Sequence, residues 1–146
     1  QRFGGRWQEM PVLPDHLDVI DNATAQKPYR LVAAPARTFL NSSFTETPGS
    51  LKREQRPTAL IHPEDCTALG VANGERVRIG NERGEVIVHA KTQEGQQRGV
   101  VVVEGIWPNH AFANGMGINS LTSAEPGWPN GGAAFHDTAV WMKRQA

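Results

Sequence analysis

Cysteine, net charge and long hydrophobic runs are all scarce or missing in this sequence of 146 residues. The single cysteine, Cys66, excludes an internal disulfide and any metal or iron–sulfur site built from several cysteines of this chain. Basic and acidic residues number 15 each, so the net charge of zero gives no electrostatic case for nucleic acid or an anionic membrane as a partner. No apolar run approaches the roughly 20 residues that a transmembrane helix needs.

Histidine is the other common metal ligand, and its spacing here argues against a metal site. His16, His62, His89 and His110 form no pair at the short separations used by metal-binding motifs. We therefore expect no metal ligand in this chain. The length fits one domain of ordinary size with a core of its own.

Residues 1–28 hold neither the two-residue nor the 3.6-residue hydrophobic period for long. Prolines interrupt them, and the chain starts at Gln1 rather than at a methionine, with no signal peptide in view. We interpret residues 1–28 as a lead-in or linker from a missing upstream region, and the chain as a piece of a longer protein. Residues 29–146 then form one folded domain.

Short segments rich in β-branched residues predict most of the regular structure. The expected strands are Tyr29–Ala34, Thr58–Ile61, Glu75–Gly80, Glu85–Ala90, Val100–Val103 and Ala139–Met142. The third and fourth alternate in hydrophobicity and form a hairpin with one buried face. Val100–Val103 is a continuous β-branched run, so we expect it to be buried on both faces.

One helix is predicted from Pro63 to Leu69. Proline suits the first helical position, and Glu64 and Asp65 complement the positive end of the helix dipole. Gly70 follows where a left-handed residue commonly ends a helix.

Two long connections, Pro35–Pro57 and Gly115–Asp137, show no period at all. Loops longer than about 12–15 residues are uncommon in compact domains unless they have a function. The second loop reads GMGINSLTSAEPGWPNGGAAFHD and is rich in glycine. Short strands, little helix and two functional-looking loops indicate a β-barrel or a β-sandwich.

The order of these signals resembles the C-terminal molybdopterin-dinucleotide-binding domain of the molybdopterin oxidoreductases, which include dimethylsulfoxide reductases, formate dehydrogenases and nitrate reductases. The segment ALIHPEDCTALGVANGERVRIGNERGEVIVHAKTQEGQQRGVVVVEGIW is similar to the central pattern of that domain. Upstream, YRLVAAPARTFLNSSF resembles its first motif; downstream, NSLTS and FHDTAVWMKR resemble its last two. The resemblance covers residues 28–144.

This resemblance implies a mainly β fold, a six-stranded double-psi β-barrel with one or two short helices. It also implies a cofactor-binding role in a larger enzyme, namely positioning the pterin and pyrophosphate of a molybdopterin guanine dinucleotide that carries molybdenum or tungsten. The partners would be the remaining domains of that oxidoreductase. We expect no catalytic residue here, and neither catalysis nor bound cofactor in the isolated chain. The substrate, the metal, the number of pterins and the compartment stay open, with the cytoplasm favoured over the periplasm.

Matching the family motifs residue by residue gives candidate cofactor contacts. Arg37 stands at the family's arginine, whose planar fork suits bidentate contacts with phosphate or pterin. Asn119 stands at the family's asparagine and can both donate to and accept from a pterin edge. The full set implied by the resemblance is Ala36, Arg37, Thr38, Asn41, Ser43, Trp107, Asn119, Leu121, Thr122 and His136.

Three positions depart from the family pattern. Ala36 replaces a glycine, and Pro35 cannot donate a backbone hydrogen bond. His136 replaces a lysine, so a fixed positive charge becomes one that titrates near neutrality. Two other readings stay open at this point. One is a barrel of the same type that binds protein partners. The other is a pyruvoyl-type decarboxylase, suggested by the pair Gly49-Ser50.

Overall fold

A computed structural model describes residues 16, 18, 20–127 and 131–145 of the chain. Most of the predicted lead-in, residues 1–15, 17 and 19, lies outside this described part. The strands are β1 (Tyr29–Ala34), β2 (Thr58–Ile61), β3 (Arg76–Asn81), β4 (Gly84–Thr92), β5 (Val100–Glu104), β6 (Pro126–Gly127), β7 (Gly132–Ala133) and β8 (Thr138–Arg144). The helices are α1 (Pro48–Glu54) and α2 (Pro63–Leu69). All six strands expected from the sequence are therefore present.

Six of these strands close into a barrel in the order β1-β5-β2-β4-β3-β8. The pairs β1–β5 and β2–β4 are parallel, whereas the other four pairs around the barrel are antiparallel. Each parallel pair requires a long crossover connection, which explains why long loops separate short strands here. The mainly β, six-stranded double-psi barrel expected for this chain is confirmed.

The core lies inside the barrel and follows the two-residue period of the strands. Val77 and Ile79 of β3 and Val86 and Val88 of β4 are fully buried, which gives the hairpin the single buried face that was predicted. Each such side chain contributes about 1.5–3 kcal/mol through its removal from water.

The expectation that Val100–Val103 would be buried on both faces is wrong. Val101 and Val103 are fully buried, but Val100 and Val102 are only half-buried. A strand in a closed single-layer barrel has one enclosed face, and loops and neighbouring strands cover the outer face only in part.

Helix α2 begins and ends where the sequence indicates. His62 caps it, because its Nδ1 accepts a hydrogen bond from the amide of Glu64 at 3.1 Å. Gly70 ends it in the left-handed conformation with φ of 64°. Asp65, buried in the first turn, accepts from the amide of Gly99 at 2.8 Å and fixes the turn before β5.

Helix α1 lies in the first long loop, where no element was predicted. It starts with Pro48, and Leu51 packs against the core while its other side chains stay half-buried or exposed. Ser50 belongs to this helix, and its Oγ donates to the carbonyl of Thr38 at 3.1 Å.

A short 3-10 helix, Asn109–Ala111, precedes the second long loop. The loop itself contains a second 3-10 helix, Ile118–Leu121, and the antiparallel pair β6–β7. Trp128, which also belongs to this loop, lies outside the described residues. In the part of the chain that is described, no helix has the length and hydropathy to cross a membrane.

Candidate functional site

A cavity of about 540 Å³ opens at the carboxyl ends of β1 and β5. Because these strands run parallel, the chain leaves both at the same edge of the barrel. The edge is held together where the amide of Gly105 donates to the carbonyl of Ala34 at 2.8 Å. Strand ends of this kind, with loops around them, are where binding residues usually gather.

Four of the ten candidate residues line this cavity. They are Asn41, Asn119, Thr122 and His136, and they come from three separate segments of the chain. The first lies in the loop after β1, the next two in and after the second 3-10 helix, and the last just before β8. Folding thus unites residues that the sequence places far apart.

Two further candidates, Ala36 and Trp107, form the floor beneath Gly105. Gly105 has φ of +85°, and a side chain there would come within 2.9 Å of Phe39 and 3.1 Å of Ala36. Trp107 is buried, packs edge-on against Phe39 at 4.7 Å and donates its Nε1–H to the carbonyl of Glu104. Both residues therefore pack beneath Gly105 and are not among the residues that line the cavity.

The segment Ile118–Leu121 presents Asn119 to the cavity and is anchored on its other face. Ile118 and Leu121 are buried in the core, and the side-chain amide of Asn81 donates to the carbonyl of Leu121 at 2.8 Å. Thr122 donates its hydroxyl to the carbonyl of Asn119 at 3.0 Å, which closes the turn. Asn119 itself is exposed and lines the cavity.

Asn41 reaches the cavity from a tight, strained turn. Leu40 and Ser43 pair with each other through two backbone hydrogen bonds of 3.1 and 2.8 Å. Within that turn Asn41 has φ of 52°, a conformation that asparagine adopts more readily than most residues. Ser43, another candidate, is exposed and contributes this backbone pairing without lining the cavity.

Arg37 and Thr38 lie away from the cavity lining. Ala36 and Phe39 on either side of them point into the core, so Arg37 is left exposed to solvent. Thr38 is tied to helix α1, because its amide and its hydroxyl both donate to Oε1 of Glu54. The hydroxyl of Thr38, a candidate contact residue, is therefore engaged within the chain.

His136 and Phe135 close the cavity on the side of β8. The imidazole and the phenyl ring stack with their centroids 4.3 Å apart, and both side chains are exposed. Asp137 follows with φ of 55°, and its carbonyl accepts from Arg30 at 2.7 Å. This anchor fixes the direction from which the two rings approach the cavity.

The donor set of the cavity suits a flat, mostly neutral ligand. Amides, hydroxyls and one imidazole line it beside the apolar surfaces of Ala33, Ala34, Ile106 and Phe135. Within the described ranges, no lysine or arginine is among its lining residues. An apolar slot with a few convergent polar groups is typical of a site for a heteroaromatic ring.

Several lining residues were not predicted from the sequence, namely Ala33, Ala34, Pro35, Gly105, Ile106 and Ser123. Gly105 carried a signal, since a glycine directly after a buried strand often marks an unusual backbone turn. Ile106 carried none, because an apolar residue at a cavity cannot be told from a core residue without the fold. Across residues 16, 18, 20–127 and 131–145, no group of three His, Cys, Asp or Glu side chains could hold a metal ion.

Comparison with known proteins bears directly on this site. Residues 29–139 match the family described as "Molydopterin dinucleotide binding domain". The chain is 32% identical over 135 residues to the protein named "Probable oxidoreductase YoaE" of Bacillus subtilis, covering 92% of this chain and 19% of that protein. It is 31% identical over 128 residues to the dimethyl sulfoxide reductase DmsA of Escherichia coli, covering 85% and 16% respectively. The chain thus spans about a fifth or less of these relatives.

A solved structure shares the fold. Acetylene hydratase from Pelobacter acetylenicus superimposes with a TM-score of 0.67 at 18% identity, covering 82% of this chain and 18% of that one. At this identity the likeness establishes the barrel architecture alone.

Proposed function

The chain belongs to the molydopterin dinucleotide binding domain family, and from that premise we propose that it positions the pterin and pyrophosphate of a molybdopterin guanine dinucleotide in a larger oxidoreductase. The observation that carries the proposal is the convergence of Asn41, Asn119, Thr122 and His136 on one cavity. When bound, this cofactor supplies the redox chemistry of its molybdenum or tungsten. The chain's own contribution is binding, orientation and exclusion of water.

Each side of the cavity has a distinct part in this proposal. Asn119 and Asn41 offer amides that can donate and accept along the edge of a pterin ring. Ile106 and Phe135 offer apolar surface to its face, and Gly105 lets the backbone approach closely. The buried anchor of Leu121 holds Asn119 in place, so little ordering is needed when a ligand binds.

The pyrophosphate would be held at the edge of the cavity. Arg37 is exposed and forms no ion pair with any described residue, so its guanidinium is available to an anion. His136 lines the cavity, and its imidazole can donate a hydrogen bond to a phosphate oxygen. We propose that these two side chains, rather than the cavity floor, contact the phosphates.

The remaining domains of the parent oxidoreductase would cover this face. Leu40 and Phe44 are 65% and 59% exposed in the loop that also carries Asn41, and Phe135 at the cavity is 46% exposed. Exposed apolar side chains grouped around a cavity are typical of a contact surface. The short span of the chain relative to its relatives supports the same proposal.

A titration followed by NMR tests the cofactor site. The isotopically labelled chain is titrated with molybdopterin guanine dinucleotide, and with guanosine diphosphate as a stable partial analogue. We expect saturable amide shifts at residues 105–106, 119–123 and 135–136, and little change in the β3–β4 turn. A folded chain whose amides at those positions do not respond to saturating cofactor would refute the proposal.

A matched pair of variants separates contact from fold. Asn119→Ala removes a proposed ligand contact, whereas Ser120→Ala removes the neighbouring hydroxyl, which does not line the cavity. Loss of one neutral hydrogen bond of about 1 kcal/mol predicts roughly fivefold weaker binding for Asn119→Ala. Ser120→Ala should bind like the unaltered chain, and equal weakening in both variants would count against direct contact by Asn119.

A further inference from the structure

A second cavity, of about 370 Å³, lies on the outer side of the barrel between the end of helix α1 and strands β2 and β4. Arg53, Arg56 and Lys91 line it, together with His89. None of its lining residues belongs to the cofactor cavity described above. Any ligand here is therefore independent of the proposed function.

The positive charge of this cavity is not neutralised inside the chain. Across the described ranges, Arg53, Arg56 and Lys91 form no ion pair. Two carboxylates, Glu54 and Glu104, line the same space. Three cations facing two carboxylates leave the lining with an excess of positive charge and an attraction for anions.

Arg56 is held in this position by an unusual backbone. Gln55 has φ of 64° and ψ of −61°, and the amide of Arg56 donates to the carbonyl of Glu54 at 2.7 Å. These features define a γ-turn with positive φ, which is rare and strained for a residue with a side chain. Strain of this kind is often kept where it orients a functional group.

The carbonyl of Arg56 is fixed as well, since it accepts from the hydroxyl of Thr58 at 2.9 Å. Its guanidinium reaches across the cavity to Gly74, where a Cβ would lie 3.9 Å from Nη2. Arg53 sits in the last turn of α1, where a cation suits the helix dipole. Arg56 lies beyond the helix, so the dipole does not account for its placement.

The pKa of His89 reflects its burial and the positive charges nearby. It lies between Thr58 of β2 and Arg76 of β3. Burial of the imidazole, followed by the positive charges of Arg56 and Arg76, lowers the pKa of His89 below its ordinary value. A bound anion would offset those charges and shift this pKa upward.

We propose that this cavity binds a dianionic phosphate group, with Arg56 and Lys91 as its principal ligands and Arg53 in support. Guanidinium and ammonium groups make their strongest hydrogen bonds to such oxygens. The cavity has room for more than one phosphate, so the shared chemistry covers inorganic phosphate and the phosphate of a small phosphomonoester.

The test is a titration of the whole chain with inorganic phosphate and, separately, with glycerol 3-phosphate, at constant ionic strength set by chloride. The readouts are the amide shifts of residues 55–58 and 89–91 and the pKa of the His89 imidazole. We expect saturable binding of at least one probe, together with a rise in the pKa of His89. Binding of inorganic phosphate alone would identify a site for the free anion, and stronger binding of the ester would identify a phosphorylated small molecule.

Matched variants decide whether the cations named above are responsible. Arg56→Gln and Lys91→Gln should each weaken binding about tenfold, as expected for the loss of a charged hydrogen bond. Lys52→Gln is the control, because Lys52 is an exposed cation of helix α1 that does not line the cavity. If Arg56→Gln fails to fold, Lys91→Gln carries the comparison alone.

Three results would overturn the proposal, and the first two concern the phosphate titration itself. One is a set of shifts that never saturates or that chloride reproduces. The other is equal weakening by Lys52→Gln and the cavity variants. A hexaglutamate peptide that binds here while phosphate does not would also overturn it, in favour of an acidic protein segment as the occupant.

Discussion

Gly105 shows how a residue without a side chain shapes the cofactor cavity. It turns the chain after β5 with φ of +85° and leaves space that Phe39, Ala36 and Trp107 fill. Two of those three neighbours, Ala36 and Trp107, were candidate cofactor contacts on motif grounds. Their motif positions are explained physically by support of the backbone, which is a requirement as strict as ligand contact.

Replacing Gly105 with alanine should destabilise the chain strongly. The new Cβ would lie 2.9 Å from Phe39 in a conformation that already disfavours side chains. We expect the free energy of unfolding to fall by about 2–4 kcal/mol, combining the left-handed backbone cost with overpacking. Urea denaturation followed by tryptophan fluorescence measures this loss.

Gly99→Ala is the matched control for that variant. Gly99 also has a positive φ, of +73°, but nothing lies within 4 Å of the position of its Cβ. It should therefore lose only the backbone part, about 1–2 kcal/mol. Equal losses for the two variants would show that the packing under Gly105 is not tight.

For Ser120, unlike Gly105, we expect that replacement by alanine does not reduce stability. Among the buried side-chain polar atoms of the described residues, its Oγ is the one without a hydrogen-bond partner. Ser120→Ala removes a polar atom that is already desolvated, so the free energy of unfolding should stay the same or rise by up to about 1 kcal/mol. Thr45→Val is the comparison, because the hydroxyl of Thr45 donates to the carbonyl of Ser42, and its loss should cost about 1 kcal/mol. A clear loss for Ser120→Ala would reveal a partner for this hydroxyl.

At the scale of elements, the barrel strands were predictable because each is a short segment rich in β-branched or alternating apolar residues. Tyr29–Ala34 and Thr58–Ile61 match the predicted bounds in full. Helix α1 was not predictable in the same way. It is seven residues long, starts within a polar loop and packs against the core chiefly through Leu51, so it has no apolar stripe to detect.

The cavity was predictable only in part, and the reason is that its lining is non-local. The motifs pointed to Asn119, Thr122 and His136, which do line it. They pointed equally to Arg37. Its side chain faces solvent, because Ala36 and Phe39 on either side are the residues buried in the core. Strand register and loop anchoring decide which residues near a motif face a ligand. Both are set by the closed barrel.

The segment Ile118–Leu121 depends on one such anchor, the side chain of Asn81. It donates to the carbonyl of Leu121 and accepts from the amide of Arg83, so it joins the β3–β4 turn to the cavity. Asn81→Ala should lower the free energy of unfolding by about 1–3 kcal/mol, since both hydrogen bonds of this side chain are lost and the carbonyl of Leu121 keeps only a long contact of 3.5 Å from Arg83. It should also speed hydrogen exchange at the amides of Ser120 and Thr122 and weaken cofactor binding.

A control for Asn81→Ala is available in the loop before β3. Asn73 also bonds to the backbone, accepting from the amide of Thr92 at 3.0 Å, but it lies outside the cofactor cavity. Asn73→Ala should reduce stability without changing exchange at Ser120 and Thr122. If Asn81→Ala leaves exchange at these two amides unchanged, the anchor does not control the order of the segment.

At the scale of the whole molecule, ion pairs tie the described end of the lead-in to the barrel. Both guanidinium nitrogens of Arg83 contact the carboxylate of Asp21, at 2.7 and 3.1 Å. Arg30 donates to the carbonyls of Asp21 and Asp137 and so links the lead-in to the segment that carries His136. The residues before β1 therefore help to fix the segment that carries His136 at the cavity, as well as leading into the barrel.

The Asp21–Arg83 pair should make stability depend on pH at the acid end. The hydrogen bonds from Arg83, and its charge, hold the pKa of Asp21 below its usual value, although partial burial opposes this. A carboxyl whose pKa is lower in the folded state stabilises that state above its unfolded pKa of about 3.9, and this contribution is lost as the pH falls through the folded value. Asp21→Asn should therefore cost about 1 kcal/mol at pH 7, as expected for a half-exposed ion pair.

The difference in stability between the unaltered chain and Asp21→Asn should disappear in acid. Its disappearance would identify the charge of Asp21 as the cause. Once the pH has fallen through the lowered pKa of Asp21, both chains carry a neutral side chain at position 21, so urea midpoints of the unaltered chain and Asp21→Asn should converge. High salt at pH 7 should narrow the gap in the same way, because the pair is partly open to solvent. A gap that persists unchanged in acid would mean that Asp21 acts through packing or its backbone carbonyl instead of through its charge. In that case the lead-in would be held to the barrel mainly by Arg30.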